Sequence, residues 1–360
     1  MTEYIFPIRF VSPIWTGGSD SRRTDRIHET GLIGGMRWWF EAILRGLDKF
    51  ACDPSTNPCT LDTRKFTEDR KKGCQHGQEI CYACERELLH KHGLCPACQI
   101  FGATGWAKVF SLNVEYDNNQ MLKTRPLNAN CDKYLPTKNC KSRGYFLPEA
   151  WLGSANLVIT PRWKMDNGSI SIILGLLEFI RRNAALGAKT YSTYGVFTWS
   201  NPGSCKPPIP NANDFVGKIN SLPSNSINNS YPNIRYMFFA EYGLEGKWTA
   251  QELIDLKYGL RDKLSDDDTR HYIFGEVHGN IVQGSKIKIG YYEKNNTGVI
   301  RLWGWVPDSN LVNFNRELII KTIYDEINGQ YQCNYWREFN SPRDCVKNFT
   351  DSIDFIQSLF

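Results

Sequence analysis

Seven of the 12 cysteines in this 360-residue chain lie between Cys52 and Cys98. Cys81-Tyr-Ala-Cys84 and Cys95-Pro-Ala-Cys98 form two CxxC pairs separated by ten residues. Each pair can wrap one side of a tetrahedral ion while backbone N–H groups steady the sulfurs. Four thiolates leave no open coordination position, so the expected ion is a structural Zn²⁺ held by Cys81, Cys84, Cys95 and Cys98. Two alternatives stay open. Cys52, Cys59 or Cys74 can replace one pair, with nitrogen from His76, His90 or His92, or the thiols are simply buried. A closed zinc site contributes on the order of 10 kcal/mol to folding. Here it would pin an insertion too polar to build its own core.

A second set of residues suits a polyanion. The net charge is +5, yet residues 121–206 alone hold 12 basic against 4 acidic side chains. Such a concentration is a footprint for nucleic acid, although a solvated lysine-rich surface gives the same bias. Arg22, Arg23 and Arg26 crowd one loop together with His28. Arg37, Glu41 and Arg45 follow at helical spacing on one side, with Trp38 nearby. A tryptophan beside arginines offers a stacking plane and phosphate donors together. Gly34 and Gly35 fall at the opening of that helix, where small residues let a phosphate reach unpaired N–H groups. A further loop from Ala185 to Gly195 combines Gly187 with Lys189, Tyr191 and Tyr194. Lys138, Lys141 and Arg143 add basic charge in another expected loop.

No catalytic constellation stands out: there is no GxSxG elbow, no phosphate-binding P-loop and no HExxH. His28 is a candidate base, since a metal-independent ribonuclease needs only one group to take the ribose 2′-OH proton; a lone loop histidine is more often a surface residue, and His271 and His278 are no stronger candidates. No run approaches the eighteen or so apolar residues of a membrane span, and the N-terminus lacks a secretory pattern. The chain is therefore expected in the cytoplasm, where disulfides rarely persist.

These side chains need elements to position them. Tyr4, Phe6, Ile8 and Phe10 alternate as in a strand, with Pro7 suggesting an edge or bulge. Met36, Trp39, Phe40, Ile43, Leu44 and Leu47 form one apolar helical stripe between Thr30 and Lys49. Strands are expected at Phe110–Tyr116, Ala155–Trp163 and Tyr194–Trp199, with a helix from Ser169 to Ala184. The order is β-α-β-β-α-β. Residues 201–233, rich in Pro, Ser and Asn, read as an irregular linker. The order then repeats: a strand at Ile234–Tyr242, a helix capped by Thr249 and Glu252, and a hairpin around Asn295-Asn296. A helix at Leu311–Ile327, a strand at Tyr331–Phe339 and a terminal helix at Pro342–Leu359 complete it. The expected class is α+β, with two tandem ferredoxin-like (RRM-like) domains. The first spans 1–200 with a cysteine-rich zinc insertion at about 50–104, and the second spans 234–360.

The runs FVSPIWTGG and TGLIGGMRWWFEAILRG, then CPACQIFGATGWAKVF, then LGAKTYSTYG resemble the RAMP superfamily of CRISPR-associated proteins. More narrowly, they resemble the first RAMP subunit of type III-B Cmr effectors. The likeness lies mainly in the first two hundred residues, with a weaker echo in HYIFGEVHG. It implies RRM-like domains and a non-catalytic RNA-binding subunit near the 3′ end of the CRISPR guide RNA. Such a subunit helps capture complementary target RNA and contacts other RAMP subunits. It also implies RNA contact by the helix bearing Arg37 and Trp38 and by the loop from Gly187 to Gly195. That loop usually carries several arginines in the family; here it carries Lys189, Tyr191 and Tyr194. A standalone RAMP endoribonuclease acting on precursor guide RNA through His28 is the alternative.

Overall fold

The structure, a computed structural model, describes residues 3–18, 24–73, 80–117, 119–125, 127–130, 144–162, 167–205, 208–224, 232–278, 281–309 and 312–360. Strand β1 (Tyr4–Ile14) buries Phe6, Ile8, Phe10 and Ile14 on one side. Helix α1 (Glu29–Gly46) lays Leu32, Met36, Trp39, Phe40 and Ile43 into the same core. The cysteine-rich insertion forms α2 (Thr63–Lys71), α3 (Tyr82–Lys91) and α4 (Pro96–Phe101). Then come β2 (Phe110–Glu115), β3 (Met121–Lys123), β4 (Leu127–Asn130), β5 (Gly144–Leu147) and β6 (Trp151–Pro161). Helix α5 (Asn167–Asn183) and β7 (Phe197–Trp199) close the first half.

The first sheet is antiparallel and runs β2-β6-β1-β7, with β3 also on β6. Strand β1 is therefore internal, not an edge. Pro7 is tolerated because β7 pairs only with Ile8, Arg9 and Phe10. The Pro7 carbonyl accepts from the Ser200 N–H at 2.9 Å, so the side of Pro7 that lacks an N–H faces beyond the end of that short ladder.

The stretch expected to be an irregular linker contains a helix, α6 (Ala212–Asn220), capped by the Asn211 side chain on the Asp214 N–H. Phe215 on α6 is fully buried. It sits so close to Gly175 of α5 that a Cβ there would meet its ring at 2.2 Å. Glycine at that position lets the two helices approach.

The second half contains β8 (Met237–Gly243), α7 (Ala250–Asp262), α8 (Asp267–Phe274), β9 (Glu276–His278), β10 (Ile281–Gln283), β11 (Ile287–Lys294) and β12 (Thr297–Trp305). It ends with α9 (Arg316–Asn328), β13 (Gln332–Glu338) and α10 (Ser352–Ser358). Thr249 and Glu252 form the capping box read from the sequence. Asn295 and Asn296, both at positive φ, turn the β11–β12 hairpin. The second sheet, also antiparallel, runs β11-β12-β8-β13. With β3 set aside and the four remaining strands of each sheet counted in chain order, both sheets run second-third-first-fourth. The terminal helix is shorter than expected, because Pro342 to Asp351 is used otherwise: the buried Asp344 carboxylate accepts from Arg337 Nε and the Glu338 N–H.

Both halves share packing. Trp39 of α1, Phe179 of α5 and Phe239 of β8 meet with ring centroids 5.5 to 6.0 Å apart. Arg301 of β12 donates through Nη1 to the Arg181 and Ala184 carbonyls at the end of α5, where a cation complements the helix dipole. The chain end returns to the first half: Asn183 Nδ2 donates to the Leu359 carbonyl, and Phe360 packs on Phe215 at 5.0 Å. No helix among the described residues is long and apolar enough to cross a membrane.

Phe215→Ala is expected to destabilise the protein by about 3–5 kcal/mol in denaturant unfolding. Leu318→Ala, at an exposed position, should change stability by about 0.5 kcal/mol or less.

Candidate functional site

Four cysteine sulfurs converge, but not the four expected from spacing. Cys52, Cys59, Cys95 and Cys98 are all buried, with their sulfurs within 4.8 Å of one another. Cys52 Sγ lies 3.4 Å from Cys98 Sγ and 3.7 Å from Cys95 Sγ. Sulfurs about 2.3 Å from a zinc ion form a tetrahedron with edges of about 3.8 Å, so the donor set fits such an ion. Cys95 is the N-cap of α4 with Pro96 in the first turn, and Cys98 follows within the helix. The Cys95 N–H points to Cys59 Sγ at 3.5 Å. Hydrogen bonds from Cys59, Cys95 and Cys98 hold the Cys52 thiol far below its ordinary range. Cys81 and Cys84 stand elsewhere, at the start of α3, where Cys81 Sγ accepts from the Cys84 N–H at 3.5 Å. The second CxxC pair does belong to the cluster; beside it stand Cys52 and Cys59, two of the three cysteines held open as replacements for one pair. Cys52 comes just six residues after the end of α1, so the helix delivers it to the cluster. His92 lies away from it, bonded to Asp69 at 3.0 Å, and Cys74 and His76 lie outside the described residues.

The polar side of α1 serves this cluster. Arg37 Nη2 donates to Cys98 Sγ at 3.2 Å, Nη1 to the Gly102 carbonyl at 2.8 Å and Nε to Glu41 at 2.8 Å. Burial draws the Arg37 guanidinium down, but Glu41 and the Cys98 and Cys52 thiols outweigh it, and the net shift is upward. Burial raises the Glu41 carboxyl against the pull of Arg37 and Arg45. Arg45 is buried and donates to the carbonyls of Pro232, Ala51 and Cys52. Arg37, Glu41 and Arg45 do share one side of the helix. That side is covered by the insertion, so neither arginine faces solvent for a phosphate.

The opposite end of α1 is different. The end of β1 ties two loops together. The Ala188 N–H donates to the Trp15 carbonyl at 2.8 Å, and the His28 N–H donates to Thr16 Oγ1 at 2.7 Å. A Cβ on Gly31 would meet the Thr16 carbonyl at 2.8 Å. Gly35 faces the glycine loop, a Cβ there lying 3.8 Å from the Gly187 amide nitrogen, while Gly34 opens to free space. Gly187 has φ +82°, and a side chain there would strike Ile14 and the Trp15 carbonyl. Trp38, three and four residues beyond these two glycines, falls on their face of the helix. It is 39% exposed and packs edge-on against Trp39.

The loop residues divide. Lys189, at φ +56°, rests its ammonium 4.6 Å over the Trp15 ring, and burial lowers it. The Thr193 N–H donates to the Ile289 carbonyl of β11, which docks the loop on the second half. The Tyr191 ring is engaged by Lys257 at 4.5 Å and Lys288 at 5.7 Å. Burial pulls those two lysines down to about 7 and about 8. Tyr194 is buried, its hydroxyl donating to the Pro148 carbonyl at 2.7 Å, so it braces the loop and offers no face to solvent. Arg26 is exposed and paired with Glu29 at 2.8 Å. His28 Nε2 lies 2.7 Å from Asp25. Arg22, Arg23, Lys138, Lys141 and Arg143 lie outside the described residues.

The sequence model of the RAMP superfamily matches residues 7–332. The chain belongs to the RAMP superfamily. Among solved structures, this RAMP protein is similar to Cmr1 from Pyrococcus furiosus in its apo form. The identity is 13% and the TM-score 0.44, with 91% of this chain and 97% of that one covered. It is also similar to a chain of the type III-B Cmr-beta bound to cognate target RNA, at 10% identity and TM-score 0.45, covering 90% of this chain and 99% of that one. Cmr6 from Pyrococcus furiosus is similar over 55% of this chain and 98% of its own, at 12% identity and TM-score 0.26. No curated protein sequence matches.

Sequence reasoning missed the partners of the RAMP loops. Trp15 beneath Lys189, and Lys257 and Lys288 against Tyr191, come from segments distant in the chain, and no local spacing marks them. The purified protein is expected to hold a metal ion at the four-cysteine cluster, lost in Cys98→Ser. Arg37→Ala should weaken its retention against a chelator by about ten- to hundredfold, as loss of an outer partner of a metal ligand does. Unchanged retention in Arg37→Ala would contradict the role assigned to that guanidinium.

Proposed function

We propose that this RAMP protein is a non-catalytic RNA-binding subunit of a type III-B CRISPR ribonucleoprotein effector. It sits near the 3′ end of the guide RNA, helps capture complementary target RNA and contacts other RAMP subunits. Zn²⁺ is its structural cofactor, held by Cys52, Cys59, Cys95 and Cys98. Each half is a ferredoxin-like module, and the strand order shared by the two sheets supports that layout.

The observation that carries the reading is the meeting of two glycine-bearing segments, α1 at Gly35 and the loop at Gly187. The sequence pattern puts Gly34 and Gly35 at the helix opening, but α1 begins at Glu29 and Gly35 is its seventh residue, past the unpaired N–H groups of the first turn, so what the contact offers is a close approach of two backbones without side chains between them. Lys189 adds a cation there and Trp38 an exposed ring for a base. Arg26 stands exposed on the neighbouring loop, its guanidinium paired with Glu29. The open face of the first sheet is a poorer platform. RRM-type recognition stacks bases on sheet aromatics, whereas this face presents Pro7, Arg9, Glu115 and Asn156. Glu115 and Asp117 line a shallow cavity of about 780 Å³ there, and their charge repels phosphate.

A second reading has one observation in its favour. Asp25 lies 2.7 Å from His28 Nε2, and a carboxylate that orients an imidazole is part of many general-base sites. The same test separates the two. RNA should remain intact during long incubation with the metal-loaded protein. Lys189→Glu should weaken RNA binding and lower the salt slope by about one. Trp38→Ala should cost about 1–3 kcal/mol of affinity for single-stranded RNA. Cleavage that disappears in His28→Ala would select the endoribonuclease instead.

A further inference from the structure

A cavity of about 300 Å³ lies between α3, α4 and the facing ends of β2 and β6. It is remote in sequence from the α1 and glycine-loop surface, and it takes part in neither RNA contact nor metal ligation as derived above. Arg86 lines it and is nine-tenths buried. Its Nε donates to Gln99 Oε1 at 3.2 Å, and its guanidinium lies 5.5 Å over the Tyr82 ring. Its Nη2 has no hydrogen-bond partner among the described residues. A buried cationic donor left unpaired is costly, and an anion removes the cost.

The surroundings add to the demand. Lys108 and Arg162 line the same cavity, and neither has an ion-pair partner among the described residues. Arg70 is there as well, but Glu85 already holds it at 2.8 Å. The other walls suit a flat apolar group. Trp106 is fixed by its Nε1–H on the Gln99 carbonyl at 3.1 Å and by edge contact with Phe66 at 5.7 Å. Leu89 stands beside it. An immobile indole plane and a guanidinium in want of an acceptor select a ligand that carries both a planar ring and a phosphate.

We propose that this pocket binds a nucleoside monophosphate unit, either as a free nucleotide or as the terminal nucleotide of an RNA strand. The phosphate meets Arg86 Nη2, with Lys108 and Arg162 at the mouth, and the base lies along Trp106. Gln99 follows Cys98 directly, so the metal centre fixes the floor of the pocket.

Calorimetric titration of the metal-loaded full chain tests this, with AMP, UMP, inorganic phosphate and short RNAs with and without a 3′-terminal phosphate as probes. AMP or UMP should bind saturably and more tightly than inorganic phosphate. Arg86→Gln and Arg162→Gln should each weaken that binding, the former by about ten- to hundredfold, while metal content and melting temperature hold. If Arg86→Gln fails to fold, the exposed Arg162→Gln decides alone. A gain from the terminal phosphate that disappears in the variants identifies the RNA end as the occupant; nucleotide binding without that gain identifies a free nucleotide. Absence of saturable binding by every probe, or variants that bind as the parent does, would overturn the proposal.

Discussion

Four buried sulfurs within 4.8 Å of one another can all ionise only with positive charge beside them, and a bound ion would supply most of it. Helix α1 adds to it. Arg37 reaches Cys98 while Glu41 holds the guanidinium from behind, and Arg45 takes the carbonyl of Cys52. One helix thus has two obligations. Its apolar stripe closes the core on the first sheet, and its charged side closes the four-cysteine cluster. Both depend on residues 52–59 and 95–98 folding back against it. What remains to solvent is its opening turns, with Gly34, Gly35 and Trp38.

The second constraint is the joining of the halves. Trp39, Phe179 and Phe239 form one aromatic contact across them, and Arg301 caps the end of α5 from β12. The glycine loop bonds to β11 through Thr193. A loop anchored at Gly187 by the end of β1 and at Thr193 by the other sheet has little freedom to collapse onto α1. The surface between them is therefore preformed, which lowers the ordering cost of binding a flexible strand. Tyr194, which looked like a base platform, belongs to this anchoring.

Periodicity made the element order legible, because α1, α5, β1 and the β11–β12 hairpin each carry a clear apolar stripe or turn. Spacing found the Cys95–Cys98 half of the cluster, where a tight CxxC defines the geometry locally. It misplaced the other half, because Cys52 and Cys59 are brought in by the course of the chain after α1 and not by mutual spacing. Arg37 and Arg45 were placed on the right side of the helix but assigned to solvent. An arginine facing solvent and one facing a buried thiolate have the same helical phase, and only the fold of the insertion distinguishes them. The helix within residues 201–233 was hidden by the flanking prolines, since Phe215, Val216 and Ile219 give too short a pattern to stand out. The resemblance to RAMP proteins, read from the same sequence, agrees with the family match over residues 7–332.

The central claim is that RNA lies across the opening turns of α1 and the loop from Gly187 to Gly195. Photo-crosslinking of 4-thiouridine RNA to the metal-loaded protein, with the attached peptides mapped by mass spectrometry, tests it most directly. The account predicts adducts at Trp38 and around Lys189, with none on the open face of β1 and β6. Adducts confined to that face, around Arg9 and Asn156, with Trp38 and Lys189 untouched, would contradict it.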